Sequence, residues 1–417
     1  MLDRSVAPAA EKISKPNLPS PEIIPISEGM ELVVLTQHDQ PAIMLDLAFP
    51  VSRSTENNST IYLAAKMLME GTREKSSAEI ASFLDFHGSH LEIRPSLDHV
   101  HIRLYCLKKY FNSQLNLIVE LLNESIYPER QFEKAKNIRT QQIKQQHAKT
   151  NAFASLKFRE KVFGAQHPYG RISSVEEVVS TTHEEVLKFY QNGLLTQPSI
   201  FLAGDVSQNE IELLNGALKP LQFYNTANTS SNKTISSSGE HIIWENAVQC
   251  SLRMGGQIID KNHPDIHLLH ITNELLGGFF GSRLMKNIRE EKGLTYGIHS
   301  SIVHLKDGSY WTIGTDVLKE KADLAVNEIK KEIQTLATTS PSEEELATLK
   351  SYLQGKWLMS FDNCFNSMQH IVQNNLAGLD QQYWIGFLNQ LESCTAKDIR
   401  QTAAKYFNKD LIEVIVG

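Results

Sequence analysis

Ile200-Phe201-Leu202-Ala203-Gly204 reads as a short buried strand closed by a glycine, and the chain ends on a run of the same kind, Ile412-Glu413-Val414-Ile415-Val416-Gly417. Gly204 and Gly417 stand 213 positions apart. Pro128 and Pro341 are separated by the same 213 positions, and each opens a helical segment, Pro-Glu-Arg-Gln-Phe-Glu-Lys and Pro-Ser-Glu-Glu-Glu-Leu. Proline is tolerated where a helix's first N–H would go unpaired, and acidic residues there are favoured by the helix dipole. A looser pair agrees. Gly71-Thr72 precedes a helix ending at His87-Gly88, and Gly277-Gly278 precedes one ending at Lys292-Gly293, 205 positions on, so a few inserted residues separate the copies. Ordered landmarks at nearly one offset imply two related halves.

Periodicity gives each half its architecture. Residues 31–36 and 42–49 predict neighbouring strands, and 60–70, 76–87, 111–123 and 129–147 predict helices from apolar recurrence at three and four. Within 91–106, Val100, Ile102 and Leu104 alternate with His99, His101 and Arg103, which is the two-residue period of a sheet. The fold class is therefore α+β, two homologous halves each made of a mainly antiparallel sheet packed with helices. The expected divisions are a tail at 1–28 rich in proline, a first half at 29–225, a serine-rich linker at 226–240 and a second half at 241–417.

Composition narrows the function classes. A chain of 417 residues exceeds a comfortable single core. Its formal net charge of −7 offers no basic footprint for nucleic acid and favours basic peptides as ligands. Hydrophobic content of 41% and charged content of 21% exclude wholesale disorder. No apolar run approaches the roughly 18 residues of a membrane span. The four cysteines form no CxxC, so neither a disulfide framework nor a thiolate zinc site is signalled. Met1-Leu2-Asp3-Arg4 shows no export signal. The expectation is a cytoplasmic protein as the sequence stands, or a periplasmic one if a signal has been removed.

The most specific stretch is 273–299, Asn-Glu-Leu-Leu-Gly-Gly-Phe-Phe-Gly-Ser-Arg-Leu-Met-Lys-Asn-Ile-Arg-Glu-Glu-Lys-Gly-Leu-Thr-Tyr-Gly-Ile-His. It resembles the second-half signature of the pitrilysin/insulinase peptidases, the inverzincins that include mitochondrial processing peptidase. Gly71-Thr72, His167-Pro168-Tyr169-Gly170 and Gly204-Asp205-Val206 fit the same pattern, which spans roughly residues 30 to 417. The resemblance implies a duplicated LuxS/metallohydrolase-like fold with a cleft between the halves. It also implies an HxxEH helix before Gly71-Thr72, with two histidines on the metal, a glutamate as general base and a later carboxylate as third ligand.

This chain departs from that pattern where it matters most. The corresponding helix reads Tyr62-Leu63-Ala64-Ala65-Lys66-Met67-Leu68-Met69-Glu70. Counting back from Gly71, the histidine positions fall on Tyr62 and Lys66, the base on Ala65, and the later carboxylate near Gln142. No histidine occurs between His38 and His87, so no shift of alignment restores the motif. No metal on this chain and no independent peptidase activity are expected.

The resemblance assigns Arg289 and Tyr296 a grip on the substrate backbone and on the attacked carbonyl oxygen, for which a guanidinium and a phenol are preorganised donors. The alternative pairs Arg289 with Glu290 or Glu291 and leaves Tyr296 on a half-buried strand. Gly277, Gly278 and Gly281, around the paired Phe279-Phe280, form a glycine-rich loop that holds peptide or simply connects two elements.

A rival metal set is His263, His267, His270 and Glu274, spaced so that they share a helix face with zinc as the fitting ion; a solvated polar face is the plainer reading. His99, His101 and Arg103 read as sheet surface, His167 as a loop-to-helix element, and Trp357 and Trp384 as core. The leading expectation is a non-catalytic subunit of a heterodimeric zinc metallopeptidase. It would lend Arg289, Tyr296 and the glycine loop to an HxxEH-bearing homologous partner that carries the zinc and acts on a peptide substrate. The alternative is a structural or peptide-binding scaffold of the same fold.

Overall fold

The duplication is visible strand by strand. A computed structural model describes residues 18–26, 29–51, 58–224, 239–245, 247–409 and 411–417. The first half runs β1 (Glu22–Pro25), β2 (Glu31–Thr36), β3 (Ala42–Pro50), α1 (Asn58–Met67), α2 (Ser77–Phe86), β4 (His90–Pro95), β5 (His99–Leu107), α3 (Phe111–Glu124), α4 (Glu129–His147), α5 (Thr150–Phe163), α6 (Val175–Ser180), α7 (His183–Phe189), β6 (Ser199–Gly204) and α8 (Gln208–Leu218). The second runs β7 (Glu240–Ile242), β8 (Gln249–Ile258), α9 (Ile266–Asn273), β9 (Ile298–Leu305), β10 (Gly308–Leu318), α10 (Ala322–Thr338), α11 (Glu343–Ser360), α12 (Cys364–Asn375), α13 (Gln382–Ser393), α14 (Ala396–Tyr406) and β11 (Ile412–Val416).

The first sheet has the order β1-β2-β6-β3-β5-β4 and the second β7-β11-β8-β10-β9. Apart from β1, each strand finds its counterpart at the same place. The pairing directions repeat too: β2–β6 and β7–β11 are parallel and every other pair is antiparallel. Both sheets end on a strand with one free edge, β4 in the first and β9 in the second. The two closing strands that revealed the duplication, β6 and β11, are central in their sheets, which is why both read as apolar runs.

Each half buries part of the other. Phe158, Val162 and Phe163 of α5 pack with Ile412, Val414 and Val416 of β11. Reciprocally, Met368, Ile371 and Val372 of α12 pack with Met44, Ala48 and Phe201 of the first sheet. Burying a large apolar side chain is worth about 1.5–3 kcal/mol, so these exchanged helices fix the halves against each other.

Three expectations need correcting. The proline-rich tail contains a strand: Ile23 and Ile24 pair with Val33 and Leu32, and Pro25 closes β1 at the sheet's edge, where no ladder N–H is needed. Most of the serine-rich linker lies outside the described residues, but Glu240 already belongs to β7, paired with Val414. His99, His101 and Arg103 are not plain sheet surface. Asp46 on β3 is fully buried, and it accepts from Arg103 Nη2 at 2.6 Å while His101 Nδ1 lies 3.1 Å away. Its neighbours on that face, Met44 and Ala48, pack against α12, so His99, His101 and Arg103 point toward the other half.

Candidate functional site

Where α9 ends, the helix widens into a π turn over Glu274–Gly278, and a second π turn spans Met285–Glu291. Such widened turns recur at functional sites. Gly277 is closely hemmed in: a Cβ there would lie 2.8 Å from Ser300 Cβ and 2.9 Å from Leu284 Cδ1. Below it, Trp311 Nε1 donates to Ser300 Oγ at 2.7 Å, and Ser300 Oγ donates to Asn273 Oδ1 at 2.5 Å. This buried network ties α9 to β9 and β10 and sets the height of the loop.

The glycine loop then exposes one phenylalanine, not two. Phe279 stacks on Tyr352 with centroids 4.7 Å apart, whereas Phe280 is 64% exposed. The Arg289 guanidinium stands over the Phe280 ring, 4.7 Å from its centroid. Among the described residues Arg289 makes no ion pair, so the alternative pairing with Glu290 or Glu291 is not seen. Tyr296 sits in the loop before β9 and is 94% exposed, not on a half-buried strand.

A cavity of about 500 Å³ opens beside Phe280, lined by Gly277, Gly278, Phe280 and Gly297, the residue after Tyr296; Arg289 and Tyr296 themselves are not in its lining. Gly281 lies outside it. Asn151 of α5 contributes a wall, so both halves enclose the space. Three charged or titratable lining residues were not singled out from sequence: Arg253, His299 and Asp316. Arg253 donates to Ser155 Oγ at 2.9 Å and to the Asn151 carbonyl at 3.1 Å, bridging the halves. Burial, reinforced by Arg253, holds the His299 imidazole below its ordinary range. Their signal was the strand alternation of β8–β10, which marks faces but not which face lines a cleft.

The four positions matching the zinc motif come together in the first half. Tyr62 Oη donates to Gln142 Oε1 at 2.9 Å. Lys66 Nζ donates to the Ile93 carbonyl of edge strand β4 at 3.2 Å, and Ala65 is fully buried. The Arg139 guanidinium lies 4.1 Å from the Tyr62 ring centroid. A phenol, a methyl, an ammonium and an amide do not fit zinc, whose ligands are imidazole, thiolate and carboxylate. Among the described residues no group of three or more His, Cys, Asp or Glu could hold a metal.

The rival histidine set is dispersed, and its face is packed rather than solvated. His267 sits edge-on to Tyr383 at 4.7 Å, Glu274 pairs with Lys356 at 2.7 Å, and His263 Nδ1 accepts from the Asp265 N–H at 3.1 Å. His270 Nε2 lies 3.1 Å from His304 Nε2 on β9, and His304 Nδ1 lies 2.8 Å from Ser309 Oγ. Burial pushes His270 down to about 3 and His304 to about 4. His167 is buried, with Nδ1 accepting from the Tyr169 N–H at 3.1 Å, as a loop-to-helix element should be. Trp384 is core and Trp357 is partly buried against it.

Fold and site together define a two-half peptidase-like sandwich whose metal-binding positions carry no metal ligands. Residues 180–353, which hold the glycine loop, Arg289 and Tyr296, match the family described as the peptidase M16 inactive domain. Over these residues the chain is similar to the M16 peptidases, in line with the pitrilysin/insulinase likeness read from 273–299. It is 22% identical to a zinc protease of Bacillus subtilis, YmxG, over 87% of this chain and 89% of that one. It is 22% identical to the non-peptidase homolog YmxG of Helicobacter pylori, over 87% and 85% of the two chains. A crystal structure of a peptidase M16 inactive domain from Pseudomonas fluorescens shares the fold at a TM-score of 0.87 and 22% identity, covering 95% of this chain and 98% of that one. A Helicobacter pylori protease structure does so at 0.83 and 18%, over 96% and 100% of the chains. No described helix is long and apolar enough to cross a membrane.

Proposed function

We propose that this chain is a non-catalytic subunit of a two-chain zinc peptidase. It supplies Arg289, Tyr296 and the glycine-rich loop to a peptide held against a homologous partner that bears HxxEH and the zinc. The observation that carries this reading is the exposure of Tyr296, next in sequence to Gly297 of a cavity also walled by Gly277, Gly278 and Phe280, with Arg289 over Phe280 and free of any described carboxylate. An exposed phenol and an unpaired guanidinium beside an apolar-floored cleft are donors waiting for a carbonyl oxygen. Phe280 offers that peptide an apolar surface. The Helicobacter pylori relative called a non-peptidase homolog supports the absence of independent catalysis.

Reconstitution tests the proposal. The purified chain alone should cleave no peptide and hold substoichiometric zinc, and mixing with an HxxEH-bearing homologue should restore cleavage. Full activity of that mixture with both Arg289→Ala and Tyr296→Phe would leave only a structural or peptide-binding scaffold.

A further inference from the structure

Beside the positions where a zinc ion would sit, the chain builds a site of the opposite polarity. A cleft of about 310 Å³ is lined by Arg139 of α4, Arg159 of α5 and Arg171 of the following loop, with Tyr62, Ser96 and Ser173. Among the described residues no acidic one lines it. The neighbouring carboxylates are engaged elsewhere. Glu177 accepts from the Ser59 N–H at 3.2 Å, and Asp98 accepts from Tyr169 Oη at 2.5 Å and from the Lys306 N–H at 3.1 Å. Buried Nε atoms of both Arg139 and Arg159 have no hydrogen-bond partner among the described residues. Burial lowers the proton affinity of both guanidiniums, outweighing the opposing pull of Tyr62 and Glu177 on Arg139 and of Tyr310 on Arg159.

We infer that this cleft binds a carboxylate of a peptide, gripped by the Arg139 and Arg159 guanidiniums. A planar fork of N–H donors matches a carboxylate, and an anion would pair with two half-buried guanidiniums whose buried Nε atoms lack a described hydrogen-bond partner. The peptide as carrier is favoured by the surroundings. Free-edged β4 runs directly into the cleft through Pro95, Ser96 and Leu97, and a sheet edge accepts extended chain. The local charge thus reverses the preference suggested by the net charge of −7. The inference rests on the proposed function only for the ligand being a peptide, and its residues lie in the half opposite Arg289 and Tyr296.

The test is binding of short fluorescent peptides to the full chain. Four forms are compared: free or amidated C-terminus, each with or without one internal glutamate. Binding that weakens about tenfold or more when all carboxylates are removed, and equally in Arg159→Gln, is the expected result, since a charge-assisted hydrogen bond is worth at least that factor. Retention by the amidated glutamate peptide assigns the carboxylate to a side chain, and its loss assigns it to the chain end; both support the site. Arg159→Gln should keep or raise Tm, because it removes an unpaired buried cation. A lowered Tm together with unchanged carboxylate preference would overturn the inference. So would equal binding of the carboxylate-free peptide, or no carboxylate-dependent binding at all. Arg289→Ala leaves this preference intact whether or not the subunit proposal holds, so the two readings fail separately.

Discussion

Tyr62 and Gln142, 80 residues apart in the chain, are joined by a 2.9 Å hydrogen bond from phenol to amide. The bond links α1 to α4 at two positions where relatives of this fold would hold a metal. The helix pair is therefore stapled without an ion. Tyr62→Phe should lower stability by about 0.5–1.5 kcal/mol, the usual net worth of one such bond, and urea denaturation measures it. Added zinc should leave the midpoint unchanged in both proteins, because a bound ion would stabilise by mass action. A zinc-dependent rise in the midpoint would contradict the loss of the site.

Gly277→Ala should be costly and Gly297→Ala nearly neutral. At 277 the new methyl meets Ser300 and Leu284 below 3 Å, whereas at 297 nothing lies within 4 Å. Overpacking of this kind costs about 1–3 kcal/mol. Ser300 of β9, one of the two obstructing residues, is held in the Asn273–Ser300–Trp311 network, so relief disturbs β9 or displaces Leu284. Thermal unfolding of the two variants side by side separates close packing from loss of glycine flexibility, which would affect both.

The His270–His304 pair predicts acid sensitivity. Both imidazoles are held neutral by burial, near 3 and 4 against an ordinary 6.5. Below about 6.5 the unfolded chain then binds more protons than the folded one, so stability falls with pH between 6.5 and about 4 and is fully present above 6.5. Each depressed imidazole costs about 1.4 kcal/mol per pH unit below 6.5, so the pair loses several kcal/mol across this window. Chemical denaturation at pH 7 and pH 5 should show it, and His304→Gln should flatten the slope. An unchanged slope in that variant would remove the pair as its source.

How much of this was legible in the sequence depended on range. The duplication could be read because Gly204 and Gly417, and Pro128 and Pro341, mark local events that recur at one offset. The departure from HxxEH could be read because that motif is a one-turn spacing on one helix. Distant partnerships could not. His101 and Arg103 gave no sign that Asp46, 55 and 57 positions earlier, would be buried beneath them. His270 was grouped with helical neighbours at i−3 and i+4, while its actual partner, His304, arrives on another strand. Arg139, Arg159 and Arg171 share no spacing at all; two helices and a loop assemble them.

Tyr296 gives the sharpest separation between stability and function. A side chain 94% exposed and without described hydrogen bonds should be removable at a cost within about 0.5 kcal/mol. In the reconstituted two-chain enzyme, Tyr296→Phe should nevertheless cut kcat by about 10²-fold, since it deletes one donor to the developing oxyanion. Arg289→Ala should act similarly but also loosen Phe280, whose ring it covers at 4.7 Å. Arg289→Lys tests geometry apart from charge, because an ammonium keeps the positive charge but loses the planar fork. If the residues act on the transition state, kcat falls with little change in KM; if they only help hold peptide, KM rises and kcat stays. Equal activity of all three variants with unaltered folding would mean that this exposed pair plays no part in cleavage.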